Sequence, residues 1–231
     1  MQIHGLNKTT LLDYPGHVGA TIFLGGCNFR CPFCHNRDLV LNPSSQPVLS
    51  YDEVLHFLKK RYGIITGVCI TGGEPTIQPD LPHLIRDIKK LGYLVKLDTN
   101  GTNPAMLDSL YVQHLINYVA MDIKSSPLNY SSITDAAALD MDAIYDSVDF
   151  LMHAGIDYEF RTTVVKEFHD AETFEQIGNW ISGCRAYYLQ NFKNTDTVIR
   201  QGYHSRTREE LESYVSILKK HIDQVSLRGV D

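Results

Sequence analysis

The fold of this chain is decided by the stretch Gly25-Gly26-Cys27-Asn28-Phe29-Arg30-Cys31-Pro32-Phe33-Cys34-His35-Asn36. It holds three of the five cysteines within eight residues, spaced C-x3-C-x2-C. Three thiolates this close together can bind three irons of a cubane iron–sulfur cluster and leave the fourth iron without a protein ligand. A fully ligated cluster or a structural zinc ion takes four protein ligands, whereas an open metal position is where catalysis usually occurs. The spacing therefore indicates that Cys27, Cys31 and Cys34 bind a catalytic cluster.

A zinc site is the alternative interpretation of the same cysteines. It would need His35 as the fourth ligand, and the adjacent Cys34 and His35 would crowd a tetrahedral ion. The other two cysteines, Cys69 and Cys184, stand alone within apolar stretches and are interpreted as buried thiols. Five cysteines, three of them clustered, do not indicate a disulfide framework.

Composition and charge exclude several classes of protein. The 231 residues carry 21 Lys and Arg against 27 Asp and Glu, a net charge of −6, without a basic run. Electrostatic binding to nucleic acid or to an anionic membrane is therefore not expected. The sequence does not open on a basic segment followed by an apolar one, and no apolar run approaches the length of a membrane span. We predict a cytoplasmic protein of one domain, residues 1–231, with an N-terminal leader over 1–18.

Apolar stretches alternate with amphipathic ones from residue 19 onward. The predicted strands cover 19–24, 68–71, 93–98, 118–122, 158–165, 186–192 and 224–228. Helices are predicted from the capping box Ser50-x-x-Glu53 onward and over 81–91, 104–110, 141–154, 171–182 and 208–222, with a loop over 125–140. Such alternation forms βαβ units and a parallel sheet. About six units, fewer than the eight of a closed barrel, predict an α/β fold in which residues 19–231 form an incomplete barrel.

Residues suited to chemistry follow the first four predicted strands. The cysteine stretch follows the first strand and Gly72-Gly73-Glu74-Pro75 the second, while Asp98-Thr99 ends the third and Asp122-x-Lys124 the fourth. Because ligands of parallel α/β proteins collect at the carboxyl ends of the strands, we expect one shared site. Taken singly, Gly-Gly-Glu-Pro is a plain turn, and Lys124 forms a surface salt bridge with an aspartate.

Two later strands offer further candidates. Arg161 is centred in the apolar strand 158–165, and we expect its guanidinium to point into the barrel mouth onto a carboxylate. Strand 186–192 contributes Tyr188, Gln190 and Asn191 as candidate contacts for a substrate.

The cysteine spacing, with the aromatic Phe33 just before the third cysteine, resembles the radical S-adenosylmethionine (SAM) superfamily. The wider pattern Gly-Cys-Asn-x-Arg-Cys-Pro-x-Cys-His-Asn resembles its glycyl-radical-enzyme activating branch. In the leader, Lys8-Thr9-Thr10 and Asp13-Tyr14-Pro15-Gly16 resemble the residues ahead of the cluster in activators of anaerobic ribonucleoside-triphosphate reductase. The resemblance implies a partial (β/α)6 barrel of parallel strands that holds a [4Fe–4S] cluster and SAM.

The resemblance also implies roles for individual residues. Phe33 and His35 would contact the adenine of SAM, and Gly72, Gly73 and Glu74 its amino group. Asp98, Thr99, Asp122 and Lys124 resemble two elements of the pyruvate formate-lyase activating enzyme that bind the ribose and the carboxylate of SAM and hold a monovalent cation. Arg161 matches by position an arginine on the fifth strand of that family.

The function implied is reductive cleavage of SAM at the cluster, with electrons from a flavodoxin- or ferredoxin-type donor. The resulting radical would remove a hydrogen atom from a glycine of a partner enzyme, which the leader indicates is anaerobic ribonucleotide reductase. Three alternatives stay open at this point: activation of another glycyl radical enzyme, radical chemistry on a small molecule or peptide, and a non-catalytic iron–sulfur or zinc module.

Overall fold

A computed structural model describes residues 1–230; Asp231, the last residue of the predicted domain, lies outside the described residues. One eight-stranded sheet runs in chain order. Its strands are β1 Ile3–Thr10, β2 Gly19–Leu24, β3 Gly67–Gly72, β4 Leu94–Thr99, β5 Tyr118–Asp122, β6 Asp157–Val164, β7 Tyr187–Asn191 and β8 Val225–Arg228. Its helices are α1 Arg37–Leu41, α2 Tyr51–Lys60, α3 Leu81–Lys90, α4 Pro104–Val112, α5 Tyr130–Thr134, α6 Met141–His153, α7 Ala171–Trp180 and α8 Arg208–Leu218.

The strands from β2 to β8 are all parallel, as the alternating pattern predicts. At least one helix lies between each pair of consecutive parallel strands. The two edges of the sheet are β1 and β8, and within residues 1–230 these two strands do not pair with each other, so the barrel is incomplete. The α/β class with a mostly parallel sheet is therefore confirmed. No helix among the described residues is long and apolar enough to cross a membrane.

Local sequence signals set the helix boundaries. The predicted capping box forms, because the Ser50 hydroxyl accepts from the Glu53 backbone N–H, and a second capping box joins Thr207 to Glu210 at the start of α8. These contacts satisfy backbone donors that the first turn of a helix leaves free. The helices then bury one face against the sheet, as α3 does with fully buried Leu84 and Ile88.

The leader contains a strand that the sequence does not predict. β1 pairs antiparallel with β2, with Leu6 opposite Ile22. Most of its residues are partly exposed, as expected of an edge strand, so the apolar run typical of the parallel strands is missing. Tyr14, in the turn that follows, is only 3% exposed and packs on Gly67, where a Cβ would lie 2.6 Å from its ring. The leader is thus part of the packed domain.

The predicted loop over 125–140 is wrong in part. It contains a 3-10 turn at Pro127–Asn129 followed by the short helix α5. The helix buries Tyr130, Ile133 and Thr134, and the Tyr130 hydroxyl donates to the Asp122 carbonyl oxygen at 3.2 Å. Serines and asparagines, which favour turns in a sequence, are here outweighed by the burial of these side chains.

We predict that Tyr14→Ala destabilises the whole domain, because it removes a buried aromatic ring and leaves a cavity beside β3. The loss should be about 3 kcal/mol, or roughly 6–12 °C in the midpoint of thermal unfolding. Circular dichroism of the cluster-loaded protein, heated without oxygen, measures it. Tyr62→Ala is the matched control, since Tyr62 is 71% exposed and its loss should be nearly neutral. Equal midpoints for the two variants would show that the leader is not part of the packed domain.

Candidate active site

The cysteine stretch leaves β2 and is held in place by hydrogen bonds from three other elements. Gln78 donates to the carbonyl of Gly25 at 2.8 Å, from the turn after β3. The Asn36 side chain donates to the Gly72 carbonyl at 2.7 Å, and the Arg30 backbone N–H to the Thr134 carbonyl at 2.8 Å. Because backbone groups are bound on several sides, the positions of the three thiols are set by the fold.

The thiols of Cys27, Cys31 and Cys34 all line one cavity of about 250 Å³. Burial raises the pKa of Cys27 to about 12 and that of Cys31 to about 11, and it also raises the pKa of Cys34. The metal-free thiols are therefore protonated at neutral pH, and binding of iron has to release their protons. Three thiols on one buried cavity fit the predicted cluster.

The zinc interpretation finds less support in the position of His35. The Nε2 atom of His35 lies 2.7 Å from the Lys193 carbonyl oxygen, and the ring packs near Phe192 with centroids 5.5 Å apart. Within residues 1–230, no three His, Cys, Asp or Glu side chains are arranged to hold a single metal ion. A cubane cluster differs from such an ion because it binds each thiolate through a separate iron.

The residues predicted to bind SAM surround the same cavity. Those that line it are Phe33, His35, Gly72, Gly73, Glu74, Asp98, Thr99, Asp122, Lys124 and Arg161. The structure thus brings together every residue predicted to bind the cluster or SAM, from five strands or the loops that follow them. Their individual roles as ligands of SAM stay predictions.

Gly72 and Gly73, at the end of β3, allow a close backbone contact that the sequence did not indicate. A Cβ on Gly73 would lie 1.8 Å from the carbonyl oxygen of Gly26, and one on Gly72 would lie 2.3 Å from that of Leu24. Gly72 also adopts φ +120°, which favours glycine. The Glu74 backbone N–H donates to the Gly26 carbonyl at 2.8 Å. The glycines therefore let this loop pack against the backbone of the cysteine stretch.

Glu74 is a buried acid that joins two loops. It is 1% exposed and accepts hydrogen bonds from the Thr76 hydroxyl at 2.6 Å, the Thr99 hydroxyl at 2.7 Å and the Asn100 backbone N–H at 2.6 Å. Burial raises the pKa of Glu74, and these donors oppose the shift. A buried carboxylate is stabilised by a cation beside it, so the ammonium group of a ligand in this cavity would have a partner here.

Charged side chains alternate across the floor of the cavity. Arg161 donates from Nε to Asp122 at 2.9 Å and from Nη1 to Asp98 at 3.3 Å, as expected of an arginine aimed at carboxylates. Lys124 contacts the other oxygen of Asp122 at 3.0 Å, and Lys96 pairs with Asp98. Burial alone would raise the pKa of Asp122, but Arg161 and Lys124 outweigh it and lower the pKa to about 2.

Lys96 and Asn100 are site residues that were not predicted. Lys96 is 2% exposed in the middle of β4, two residues before Asp98 and hence on the same face of the strand. A charged lysine within an otherwise apolar strand was the one feature of the sequence that could have indicated this position. Asn100 lines the cavity and donates to the Asn28 side chain at 2.9 Å, which links the β4 loop to the cysteine stretch.

Of the three candidate substrate contacts on β7, only Gln190 lines the cavity. Tyr188 lies under the Arg228 guanidinium, 3.4 Å from its ring centroid. Asn191 exchanges two hydrogen bonds with the backbone of Arg206. The structure therefore gives Tyr188 a packing contact, whereas Asn191 lines a neighbouring cavity that shares Gln190 with the first.

Comparison with known proteins gives a consistent result. The chain matches the sequence model of the Radical SAM superfamily over residues 21–181. It is 30% identical to a protein of Methanocaldococcus jannaschii predicted to be a glycyl-radical enzyme activating enzyme, over 99% of this chain and 96% of that protein. It is 27% identical to the pyruvate formate-lyase-activating enzyme of Clostridium pasteurianum, over 88% and 82%. Streptococcus suis SuiB bound to S-adenosylmethionine aligns with a TM-score of 0.67 and 13% identity, over 90% and 52%, which shows a shared fold alone.

We predict that Cys27, Cys31 and Cys34 bind iron and that Cys69 and Cys184 do not. Anaerobically reconstituted protein should contain about four irons per chain, as a [4Fe–4S] cluster requires. Serine at any of the three clustered positions should lower this content and the cluster absorbance. The double variant Cys69→Ala, Cys184→Ala should keep both, because these thiols are buried away from the stretch. Loss of the cluster in the double variant would contradict the assignment.

We predict that Gly73→Ala impairs the cluster as well as any ligand bound beside it. The added Cβ would overlap the Gly26 carbonyl, so the residue next to Cys27 has to move. Iron content after reconstitution should fall to about half or less, because a cluster held by three cysteines depends on each of them. Gly155→Ala is the control: its φ of +76° strains an alanine and should lower stability, but nothing lies within 4 Å of a Cβ there, so the iron content should not fall. Full iron content in Gly73→Ala would show that the cysteine stretch tolerates the displacement.

Proposed function

Because this chain belongs to the radical SAM superfamily, in its glycyl-radical-enzyme activating branch, we propose that it activates anaerobic ribonucleoside-triphosphate reductase. The observation that carries the activity is the convergence of three thiols, the buried carboxyl group of Glu74 and the partly buried ammonium group of Lys124 on one cavity. Within residues 1–230, the cavity offers Glu74 to an ammonium group and Lys124 to a carboxylate, the two charged groups of the methionyl end of SAM.

The superfamily uses a [4Fe–4S] cluster and SAM, and the residues present fit both. A bound cluster would supply the one electron for reductive cleavage of SAM, and the radical produced would remove a hydrogen atom from the partner's glycine. Cys27, Cys31 and Cys34 would hold the cluster, and the burial of Cys31 with the partial burial of the other two limits access of water and oxygen. Asp98 and Thr99, at the end of β4, are placed to meet the ribose hydroxyls.

Two further cavities that share residues with the first support a macromolecular substrate. One, of about 360 Å³, shares His35, Thr163 and Gln190 with it and extends past β7. The other, of about 520 Å³, shares Asp98, Arg161 and Gln190 and opens between the leader and β8. A segment of polypeptide could follow these openings to the SAM site, where reacting atoms need to approach to about 3–3.5 Å.

The choice of partner rests on the leader. Its residues Lys8-Thr9-Thr10 and Asp13-Tyr14-Pro15-Gly16 resemble those of activators of anaerobic ribonucleotide reductase. Leu11 and Leu12, between these two motifs, are 72% and 89% exposed and line the opening beside β8. Exposed apolar side chains at the entrance to a site are suited to contact a protein. The proposal includes a cytoplasmic setting and a flavodoxin- or ferredoxin-type electron donor.

Pyruvate formate-lyase is the second candidate partner, because an activating enzyme of that protein is 27% identical over most of this chain. The two candidates predict the same chemistry in this cavity and differ only in which protein receives the radical.

We predict that reduced protein, SAM and the organism's own anaerobic ribonucleotide reductase, mixed without oxygen, give a doublet glycyl-radical signal by electron paramagnetic resonance. The signal should disappear when the radical-site glycine of the reductase is replaced by alanine. It should also disappear with Cys31→Ser of this chain, since the cluster is lost. A radical on pyruvate formate-lyase and none on the reductase would leave the chemistry standing and refute the choice of partner.

A further inference from the structure

All four carboxylate oxygens of Asp98 and Asp122 already have a cationic partner from the protein. The Oδ1 atom of Asp98 contacts the ammonium of Lys96, and its Oδ2 atom lies 3.3 Å from Nη1 of Arg161. On Asp122, Oδ1 lies 2.9 Å from Nε of Arg161 and Oδ2 lies 3.0 Å from Nζ of Lys124. Arg161 thus spans the two acids, with a lysine on the far side of each.

This arrangement does not fit the monovalent cation that the family resemblance implies between the two acids. Such an ion would need carboxylate oxygens as ligands, and each of these oxygens is bound by a side-chain nitrogen. Around these two acids, three positive side chains face two negative ones, and this local surplus of positive charge disfavours another cation between them. Glu74, the next acid of the cavity, lies on the loop after β3 and is the proposed partner of the ammonium group of SAM, so it is not counted as a ligand of an ion between Asp98 and Asp122.

Lys96 is the residue that completes the arrangement. Its side chain is 2% exposed, and burying an ammonium group is unfavourable unless a partner compensates it. Lys96 and Asp98 lie two positions apart on β4, so the strand holds both on the same face without a flexible loop between them. The Nζ atom of Lys96 also lies 3.8 Å from Sγ of the buried Cys69. The positive charge is therefore fixed next to Asp98 whether or not salt is present.

We propose that Lys96 and Arg161 together take the place of the monovalent cation, so that this chain binds SAM independently of Na⁺ and K⁺. Lys96 acts as a positioning residue: it satisfies Asp98 and keeps Arg161 between the two acids. The surplus positive charge, carried by Lys124 at the cavity wall, is then available to the carboxylate of SAM. The inference rests on SAM binding and is independent of which glycyl radical enzyme is the partner.

The test measures SAM binding to the reconstituted protein by anaerobic calorimetry in three buffers of equal ionic strength, with tetramethylammonium, Na⁺ or K⁺ as the cation. Tetramethylammonium is too large to occupy a site between two carboxylates. We expect the three dissociation constants of the native chain to agree within about twofold. A dissociation constant about tenfold or more lower in Na⁺ or K⁺, a difference of roughly 1.4 kcal/mol, would overturn the proposal.

The variant Lys96→Met tests whether Lys96 is the residue that makes SAM binding independent of Na⁺ and K⁺. It frees one oxygen of Asp98, so SAM should bind about tenfold more weakly in tetramethylammonium, and K⁺ or Na⁺ should restore much of the affinity. Lys90→Met is the matched control, since Lys90 is 70% exposed on α3 and its loss should change nothing. A Lys96→Met variant with native affinity in all buffers would refute the role of Lys96. If this variant does not fold, the dissociation constants of the native chain in the three buffers still show whether SAM binding depends on Na⁺ or K⁺.

Discussion

The site depends on one close backbone approach, between Gly26 ahead of the first cluster cysteine and Gly73 after β3. No side chain fits between these residues, and the Glu74 N–H and the Gly26 carbonyl are joined by a hydrogen bond. The loop that would hold the cluster and the loop that carries Glu74 are therefore one rigid unit. A cluster held by the first loop and SAM held by the second would therefore both be positioned by this one contact, at the ends of the adjacent strands β2 and β3.

A second constraint comes from the polar interior of the barrel. Glu159 is 1% exposed, and both of its oxygens are bound by the Arg228 guanidinium at 2.6 and 2.7 Å, with the Tyr118 hydroxyl at 2.9 Å. Lys96, Asp98 and Arg161 continue this network toward the cavity. Breaking one member of such a network leaves an uncompensated buried charge, which costs about 3–5 kcal/mol. The buried ion pairs thus keep the barrel interior polar, and as a consequence substitution of any one of these charged residues destabilises the protein.

The features that could be predicted from the sequence are those that depend on the local pattern of apolar and polar residues. The parallel strands were predictable because they are short apolar runs, and the site residues because ligands gather where such strands end. β1 was missed because an exposed edge strand is not apolar, and α5 because Tyr130 and Ile133 are buried by distant partners that local sequence does not reveal. The close contact between Gly73 and Gly26 could not be predicted for the same reason, because the two residues are distant in sequence and adjacent only in the fold.

The gap between β1 and β8 bears on the protein substrate of the proposed function. β1 occupies the free edge of β2 antiparallel, and β8 ends the other edge, so the barrel interior opens sideways between Leu12 and Arg228. An opening that admitted a polypeptide would also admit water and oxygen, which would consume a radical. In the proposed reaction the incoming segment itself has to fill the gap. An apolar rim at Leu11 and Leu12 and a charged interior suit this, because the rim can be covered by the partner while the ion pairs keep the site assembled before it arrives.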